Sequence, residues 1–536
     1  MPTTPETSTT EAPSLFFSDA RACKAWINGL PVSNPAQAQA TLLDALRVFN
    51  RAEFDPLERL KCLEMLRDRN AFMVSELRTR HFSKSLPLSP VDSAAWASTV
   101  TVLEELEGGY RKCQGEGALD EHAALIAQRV IRYIGAQMLL HAAIYRSFDD
   151  ALWSRLHGQY AAAEKAGIAA GKVKDSLESE SGSSVMEAYA HVVLLHAAGL
   201  HEMTPAQVLF TEAVLRQWMR KVEVLGHAPE ESAGPVLPIV VDLSQARGAE
   251  PALREALGSA QRVIDAEGLS RSIRRRLRAL SAGEDVATLG LPTEVSGVDP
   301  QQALQRLAKR WSEPAARAPA PATVGSGSAG LVHGLGDIHF FLSGGKAFEQ
   351  PGKERELSHQ EKNDIAVFGR VTERTQSIMA AAGRTQAGHA TPPHTFTVEP
   401  WDVVEEAIDT VRVRRGASAT RPVAVGRLIA LRRGAAGPLM AGVVRGIWNE
   451  PEGLVMSVAT FPGRPEPIAV RGSNPSWVPG VALPALEKLG VPRSLLVPTG
   501  VAFRGRPVFA WEGESRQAKV VDILERGTDF DRVTVA

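Results

Sequence analysis

Arginine is the residue type whose clustering in this sequence points most directly to a chemistry. Between Arg412 and Arg445 there are eight arginines and no acidic residue, at positions 412, 414, 415, 421, 427, 432, 433 and 445. Guanidinium groups bind phosphate in bidentate fashion and stack on planar rings, so the cluster suits an anionic nucleotide. The alternative is that these arginines form the outward face of alternating strands. The residues alone leave both interpretations open.

Other reactive side chains do not form a catalytic or metal-binding set. His191, His196 and His201 recur at five-residue steps, which rotate each by about 140° on a helix, so they share no face. The run LSGGKAF at 342–348 lacks the first glycine and the Ser/Thr of a phosphate loop and predicts a glycine-rich turn. We therefore predict that the protein is not an enzyme and has no metal site or cofactor. An enzyme with an unrecognised site in the helical region is the remaining alternative.

Length and composition set the class of protein. A chain of 536 residues predicts several domains. The formal net charge of -1 gives no attraction of the whole molecule to nucleic acid. Three cysteines, none in a CxxC pair, indicate neither a disulfide framework nor a zinc site. We find no signal sequence and no transmembrane segment, and we expect a cytoplasmic protein.

The first half of the chain is predicted to be helical. Five helix starts combine a capping residue with proline at the first helical position, where no amide hydrogen bond is lost. They are Asn34-Pro35, Asp55-Pro56, Ser89-Pro90, Thr204-Pro205 and Asp299-Pro300. Apolar residues then recur at three- and four-residue steps, as in Leu57, Leu60 and Leu63. These patterns predict a helical bundle or an irregular stack of helix pairs.

The second half of the chain is predicted to be β-rich, with Gly and Pro between short apolar runs. The runs are 395–398, 423–431, 440–448, 453–458, 467–471, 494–498, 507–511 and 519–524, and one earlier strand is expected at 237–241. Six or more short strands joined by tight turns favour a small closed barrel, because closure removes exposed edges. We therefore predict an α+β multidomain protein, with a mainly α-helical N-terminal region followed by a small β-barrel.

Changes in composition divide the chain into predicted regions. The segment between Glu313 and Gly330 combines Pro and Ala with Gly and Ser, which is typical of a linker. The predicted regions are a disordered tail at 1–13, a helical bundle at 14–230, a mixed helical segment with one strand at 231–312, a linker at 313–332, a segment preceding the barrel at 333–394 and the barrel at 395–536.

Two motifs give the C-terminal part a resemblance to a known family. The run FGRVTERTQ contains Arg370 and Arg374 in Arg-x-x-x-Arg spacing, and WDVVEEAIDTVRV follows about thirty residues later. This part of the chain resembles a PilZ domain, the small β-barrel receptor for cyclic di-GMP. In that family the two arginines grip the guanines and phosphates of the ligand, and an Asp/Asn-x-Ser-x-x-Gly motif lies on the first strands.

The wider chain also resembles a group of beta-proteobacterial cytoplasmic proteins with a long helical N-terminal part and a PilZ-like C-terminal part. The passages CKAWINGLPVSNPAQAQATLLDALRVFNR and GDIHFFLSGGKAF carry this resemblance, together with SIRRRLRALSAGEDVATLGL and EGLVMSVATFPGRPEPIAVR. The resemblance covers most of the chain and implies the same architecture here.

The second motif departs from the family pattern. Glu405 replaces the Asp/Asn, Ala407 replaces the serine and Thr410 replaces the glycine. Alanine supplies no hydroxyl, and threonine adds a branched side chain where glycine allows close approach.

The resemblance implies a non-catalytic regulatory protein that responds to cyclic di-GMP through a divergent site. Arg370 and Arg374 would clamp the ligand, and Arg412 and Arg414 would contact its phosphates. The alternative is an interaction scaffold whose degenerate barrel binds no nucleotide. In either case we expect a protein partner of unknown identity to bind through the helical region.

Overall fold

The computed structural model of the protein describes residues 15–31, 33–82, 86–175, 177, 179–226, 239–251, 257–312, 322–351, 396–416, 418–434 and 437–536. The chain divides into two compact units. Unit 1 comprises the described residues of 1–321, 422–424 and 446–454, and unit 2 comprises those of 322–421, 425–445 and 455–536.

Unit 1 is built mainly from helices. Its α-helices are α1 (Ala20–Asn28), α2 (Pro35–Arg51), α3 (Pro56–Phe82), α4 (Pro90–Lys112), α5 (Ala123–Ala143), α6 (Asp150–Lys165), α7 (Val185–Ala197), α8 (Pro205–Trp218), α9 (Glu267–Ser281) and α10 (Pro300–Ser312). Short 3-10 turns lie at Gly117–His122, Leu200–Glu202, Met219–Lys221 and Val286–Leu289.

All five predicted helix caps are present. In each case the side chain of the capping residue accepts a hydrogen bond from a backbone amide of the first turn, which would otherwise lack a partner. The pairs are Asn34 with Gln37 (3.3 Å), Asp55 with Glu58 (3.0 Å), Ser89 with Asp92 (3.1 Å), Thr204 with Gln207 (3.3 Å) and Asp299 with Gln301 (3.0 Å). The helix starts are therefore encoded locally.

Helix α5 runs through the centre of unit 1 and is buried on most sides. Gly135 lets α5 approach α7 closely, because a Cβ atom at this position would lie 2.7 Å from Cγ2 of Val192. Arg129 of α5 is 2% exposed and is paired with two carboxylates, Glu64 and Asp175, both at 2.9 Å. The interior of the bundle is therefore polar as well as apolar.

Two small sheets complete unit 1. Strands β1 (Val173–Asp175) and β2 (Ser179–Ser183) form an antiparallel pair between α6 and α7. The second sheet has the order β3-β6-β4-β5. Its strands are β3 (Glu223–Leu225), β4 (Ile239–Asp242), β5 (Glu250–Pro251) and β6 (Gln261–Asp265). Strand β4 overlaps the strand predicted at 237–241.

The second half of the chain, most of which is unit 2, is built mainly from strands. They are β7 (Thr323–Val324), β8 (Ser328–His333), β9 (Glu399–Glu406), β10 (Thr410–Arg415), β11 (Leu428–Arg433), β12 (Leu439–Glu450), β13 (Gly453–Thr460), β14 (Glu466–Arg471), β15 (Val478–Leu483), β16 (Ser494–Pro498), β17 (Pro507–Trp511), β18 (Ser515–Arg526) and β19 (Phe530–Val535). Helix α11 (Leu335–Leu342) follows β8, and a 3-10 turn lies at Glu487–Leu489.

The strands of this half of the chain form two closed sheets. In the first barrel the order is β10-β13-β12-β11-β8-β9, and β9 closes it by pairing also with β10. In the second barrel the order is β14-β15-β16-β19-β18-β17. The predicted α+β class with a helical first half and a closed barrel is confirmed. The sequence analysis did not predict that there would be two barrels.

One apolar cluster contains residues of both barrels. Helix α11 packs on strands β8 and β11 of the first barrel and on β14 and β15 of the second. The buried members of the cluster are Val332, Leu335, Ile338, Leu428, Ala430, Ala441, Val443, Phe461, Val481, Leu483, Leu496 and Phe530. A separate cluster, which includes Val470, Val508 and Val533, fills the second barrel.

In two segments the observed local structure differs from the predicted one. Within the predicted linker, residues 313–321 lie outside the described residues, whereas Thr323–Val324 and Ser328–His333 form strands. The strand predicted at 395–398 is wrong over residues 396–398, which are irregular, and residue 395 lies outside the described residues. The glycine-rich turn predicted at 342–348 is confirmed, with positive φ angles at Gly344 (70°) and Gly345 (82°).

Candidate functional site

The three positions that the sequence analysis compared with the PilZ motif lie on the hairpin formed by β9 and β10. Glu405 is in β9, Ala407 is in the turn and Thr410 begins β10. The turn is closed by the amide of Ala407, which donates to the carbonyl oxygen of Thr410 at 2.8 Å. The amide of Thr460 donates to the carbonyl oxygen of Asp409 at 2.8 Å and ties the turn to β13. The three motif positions therefore lie within one short hairpin.

The hairpin turn does not need glycine. Among the described residues, Tyr145 is the one non-glycine residue with a positive φ angle, so Thr410 is in an ordinary conformation. A branched residue is favourable at the start of a strand. Threonine at the glycine position is therefore compatible with the backbone that this chain adopts.

The acidic residues of β9 lie against the arginines of the sheet. Glu405 and Arg412 are directly opposite each other in the β9–β10 ladder, and their side chains form an ion pair at 2.8 Å. Glu406 forms an ion pair with Arg433. Because these side chains are about one third exposed, each pair contributes only about 0–1 kcal/mol to stability. Each carboxylate also neutralises a guanidinium group that would otherwise be available to an incoming anion.

Arg414 lies two residues beyond Arg412 on β10, and alternation places both on the same face of the strand. Within the described part of the chain, Nε of Arg414 is buried and has no hydrogen-bond partner. The structure therefore brings together the two arginines predicted as phosphate contacts. The other two predicted site residues, Arg370 and Arg374, lie outside the described residues.

The remaining arginines of the cluster are dispersed. Arg415 donates to the carbonyl oxygens of Ala419 and Arg421, both at 3.0 Å, and its guanidinium lies 5.7 Å from the ring centroid of buried Trp401. Arg421 pairs with Asp337 at 2.6 Å. Several of the eight arginines thus stabilise loops and strands of the first barrel, so the cluster in the sequence is not one cationic surface.

The first barrel contains a buried polar group that the sequence analysis missed. The Glu399 carboxylate accepts from the backbone amides of Thr420 (2.7 Å) and Arg421 (2.8 Å) and contacts Nε2 of His333 at 3.2 Å. Burial alone would raise the pKa of Glu399, but the two amides and His333 hold it below its usual value. Neither residue stands in a motif, so nothing in the sequence indicates the pair. The contacts of the Glu399 carboxylate with the amides of Thr420 and Arg421 fix the loop before β11.

In the second half of the bundle His191 is buried and His196 and His201 are half-buried, and desolvation lowers the pKa values of all three. The pKa of His191 is lowered to about 3 and that of His196 to about 4, so both are neutral at pH 7. His196 packs on the ring of Trp153 with centroids 4.9 Å apart, and Nδ1 of His201 contacts the carbonyl oxygen of Ile447 at 3.1 Å. Within the described ranges there is no group of three or more His, Cys, Asp or Glu that could hold a metal ion.

None of the helices in the described part of the chain is long and apolar enough to cross a membrane.

The helical part of the chain is similar in sequence to part of a known receptor. Residues 21–230 match the family model described as the N-terminal domain of the cyclic-di-GMP receptor FimW. The chain is also 26% identical over 348 residues to the cyclic-di-GMP receptor FimW of Pseudomonas aeruginosa. That alignment covers 63% of this chain and 56% of the relative, so the chain spans little more than half the length of the curated protein it matches. No solved structure matches the chain. The sequence from α1 to beyond β3 is thus similar to the N-terminal domain of a cyclic-di-GMP receptor.

Proposed function

We propose that this protein is a non-catalytic regulatory protein that binds cyclic di-GMP. The observation that carries the proposal is the match of residues 21–230 to the N-terminal domain of a cyclic-di-GMP receptor. The similarity to the Pseudomonas aeruginosa receptor supports it, since that alignment is longer than the matched domain. A helical unit joined in one chain to a β-rich unit also suits a protein that binds a small ligand with one part and a partner protein with another.

The proposed ligand site uses four arginines. Arg370 and Arg374 clamp the guanines and phosphates of cyclic di-GMP, and Arg412 and Arg414 on β10 contact the phosphates. Guanidinium groups suit this task because they make paired hydrogen bonds to phosphate and stack on planar bases. Ligand binding at this site would alter the surface that a partner protein meets.

The hairpin weakens the proposed site without removing it. Glu405 competes with phosphate for Arg412, from which it lies 2.8 Å away. Ala407 supplies no hydroxyl, and each lost hydrogen bond to a charged group costs about 1.5–3 kcal/mol. We therefore expect an affinity lower than that of a site with the complete motif.

A second candidate function is a scaffold that binds partner proteins and no nucleotide. The observation that favours it is the hairpin itself, in which Glu405 and Glu406 already pair with Arg412 and Arg433. In this case the first barrel is a structural element, and its arginines are part of its fold.

Isothermal titration of cyclic di-GMP into the full chain tests the proposal. We expect binding at about micromolar affinity that is lost in the double variant Arg370→Ala/Arg374→Ala. The control is Arg504→Ala/Arg516→Ala, which removes two exposed arginines of the second barrel and the same amount of charge. This control should bind like the unmodified chain.

Two results would contradict the proposal in different ways. Absence of binding by the folded, unmodified chain at high ligand concentration would favour the scaffold. Binding that persists in Arg370→Ala/Arg374→Ala would keep the receptor function and exclude these two arginines as the clamp.

A further inference from the structure

The helical unit contains a cavity that neither the motifs nor the proposed function uses. Its volume is about 330 Å³, and its walls come from α3, α4, α5, α7 and α8 together with Leu177. Val74, Leu139 and Leu195 contribute apolar surface to the wall. Gly135 also lines the cavity, at the close approach of α5 to α7. The cavity lies within unit 1 and is formed by helices that pack directly on one another.

The cavity lining is rich in positive charge. Among its described residues there are four guanidinium groups, those of Arg67, Arg78, Arg132 and Arg216, and one carboxylate, that of Glu212. Arg67 forms an ion pair with Asp175, which is buried and is not one of the lining residues. A low-dielectric cavity that presents several guanidinium groups attracts an anion more strongly than an exposed surface does.

Glu212 and the neighbouring histidine do not reverse this charge. Burial would raise the pKa of Glu212, but Arg216 and Arg78 outweigh burial and hold the pKa below its usual value. Nη1 of Arg78 lies 3.7 Å from the carboxylate of Glu212. His191 also lines the cavity and contacts Arg132 through Nδ1 at 3.3 Å, and its pKa of about 3 keeps it neutral at pH 7. Cationic groups therefore outnumber anionic groups among the described lining residues.

We propose that this cavity binds a small organic phosphate of about mononucleotide size. The volume lies at the lower end of the range of ligand cavities, about 300–1,000 Å³. The phosphate lies against the guanidinium groups, and the ring packs on the apolar wall formed by Val74, Leu139 and Leu195. The proposal does not depend on cyclic di-GMP binding at β10, because the two sites share no residue.

Thermal-shift and calorimetric titrations of the full chain with four separate probes test this proposal. The probes are GMP, AMP, inorganic phosphate and cyclic di-GMP. We expect at least one mononucleotide to bind with a dissociation constant below about 1 mM. Inorganic phosphate should bind at least about tenfold more weakly, because it has no ring to contact the apolar wall. Binding of cyclic di-GMP in the cavity would mean that the site accepts half of the dinucleotide. Absence of that binding would mean that the site accepts a free mononucleotide alone.

Two variants locate the binding in the cavity. Ala136→Leu places a larger side chain in the cavity and should abolish mononucleotide binding, whereas Ala94→Leu, at an exposed position of α4, should not change it. Arg78→Gln removes a guanidinium group and should weaken binding at least about tenfold. Its control is Arg111→Gln, which removes a half-exposed arginine from α4.

The proposal is overturned if none of the four probes binds, or if a mononucleotide binds Ala136→Leu as tightly as it binds the unmodified chain. If cyclic di-GMP binding is lost in Arg370→Ala/Arg374→Ala and mononucleotide binding is retained there, both sites exist. If cyclic di-GMP binding is instead lost in Ala136→Leu alone, the cavity is the receptor site and the proposed clamp is wrong. The two proposals can therefore fail separately.

Discussion

Asp175 is the residue on which the polar interior of the helical unit depends. It is 2% exposed and pairs with Arg67 and with Arg129, and it also accepts from the Gln128 amide at 3.1 Å. A buried ion pair contributes little relative to apolar packing, but removal of one partner leaves an uncompensated charge. The stability of the helical unit should therefore respond strongly to the loss of this one carboxylate.

We predict that Asp175→Asn lowers the free energy of unfolding of the helical unit by about 3–5 kcal/mol at pH 7, because Arg67 and Arg129 lose their common buried carboxylate. Urea denaturation followed by far-UV circular dichroism measures the change. Asp150→Asn is the control, since Asp150 is exposed and its substitution should change stability by less than about 0.5 kcal/mol.

The same substitution should show a characteristic pH dependence. Burial would raise the pKa of Asp175, but Arg129 and Arg67 outweigh burial and hold the folded-state pKa below the ordinary value of 3.8. A carboxyl group with a lowered folded-state pKa stabilises the protein above its unfolded-state pKa and loses that contribution as pH falls through the folded-state pKa. The difference between Asp175→Asn and the unmodified chain should therefore shrink below pH 3.8. An unchanged difference there would contradict the assigned charge of Asp175.

At the scale of elements, structure that depends on neighbouring residues was predicted well, whereas pairing between strands was not. The cap at Asn34 is encoded within three residues, and strands 494–498 and 507–511 have the predicted bounds. Strand β15 was missed because Pro479 and Gly480 are unfavourable in strands. Gly480 is needed there, since a Cβ atom would lie 2.8 Å from Cγ1 of Val470 on β14. Only the pairing of the two strands reveals this requirement.

The same distinction between local structure and strand pairing applies to the candidate site. The alternation of a strand places Arg412 and Arg414 on one face, and this follows from the sequence. The pairing of Glu405 with Arg412 does not, because the β9–β10 register shifts between Arg412 and Val413. A shift of one residue decides which side chains oppose each other, and a sequence pattern does not contain it.

The hairpin gives a prediction at this scale. Glu405→Gln/Glu406→Gln should increase the affinity for cyclic di-GMP about tenfold, because it removes two carboxylates that pair with Arg412 and Arg433. The free energy of unfolding should change by less than about 1 kcal/mol, since the pairs are partly exposed. Isothermal titration and urea denaturation measure the two quantities.

Glu514→Gln is the matched control, because Glu514 pairs with the exposed Arg516 on the second barrel. It should leave the affinity unchanged. An equal increase in affinity in this control would mean that net charge, and not the hairpin, limits binding.

At the scale of the whole molecule, the two barrels were not separable in the sequence. The first barrel is closed by pairs between distant residues, such as Leu331 with Glu399, and no local pattern indicates such a pair. Moreover, α11 and strands of both barrels contribute to one apolar cluster. Sharing of a core means that loss of packing in one barrel exposes apolar surface of the other. The barrels should therefore unfold as one cooperative unit.

Phe530 provides the test, because it is fully buried in the shared cluster and lies 6.0 Å from Phe461, centroid to centroid. We predict that Phe530→Ala lowers the free energy of unfolding by about 3–5 kcal/mol through the cavity it leaves. Hydrogen exchange of the full chain should then accelerate in β8 and β11 of the first barrel as well as in β16 and β19 of the second. Val521→Ala, at a half-exposed position of β18, should accelerate neither barrel. Faster exchange confined to the second barrel in Phe530→Ala would mean that the two barrels are independent folding units, each stable without the cluster that contains residues of both.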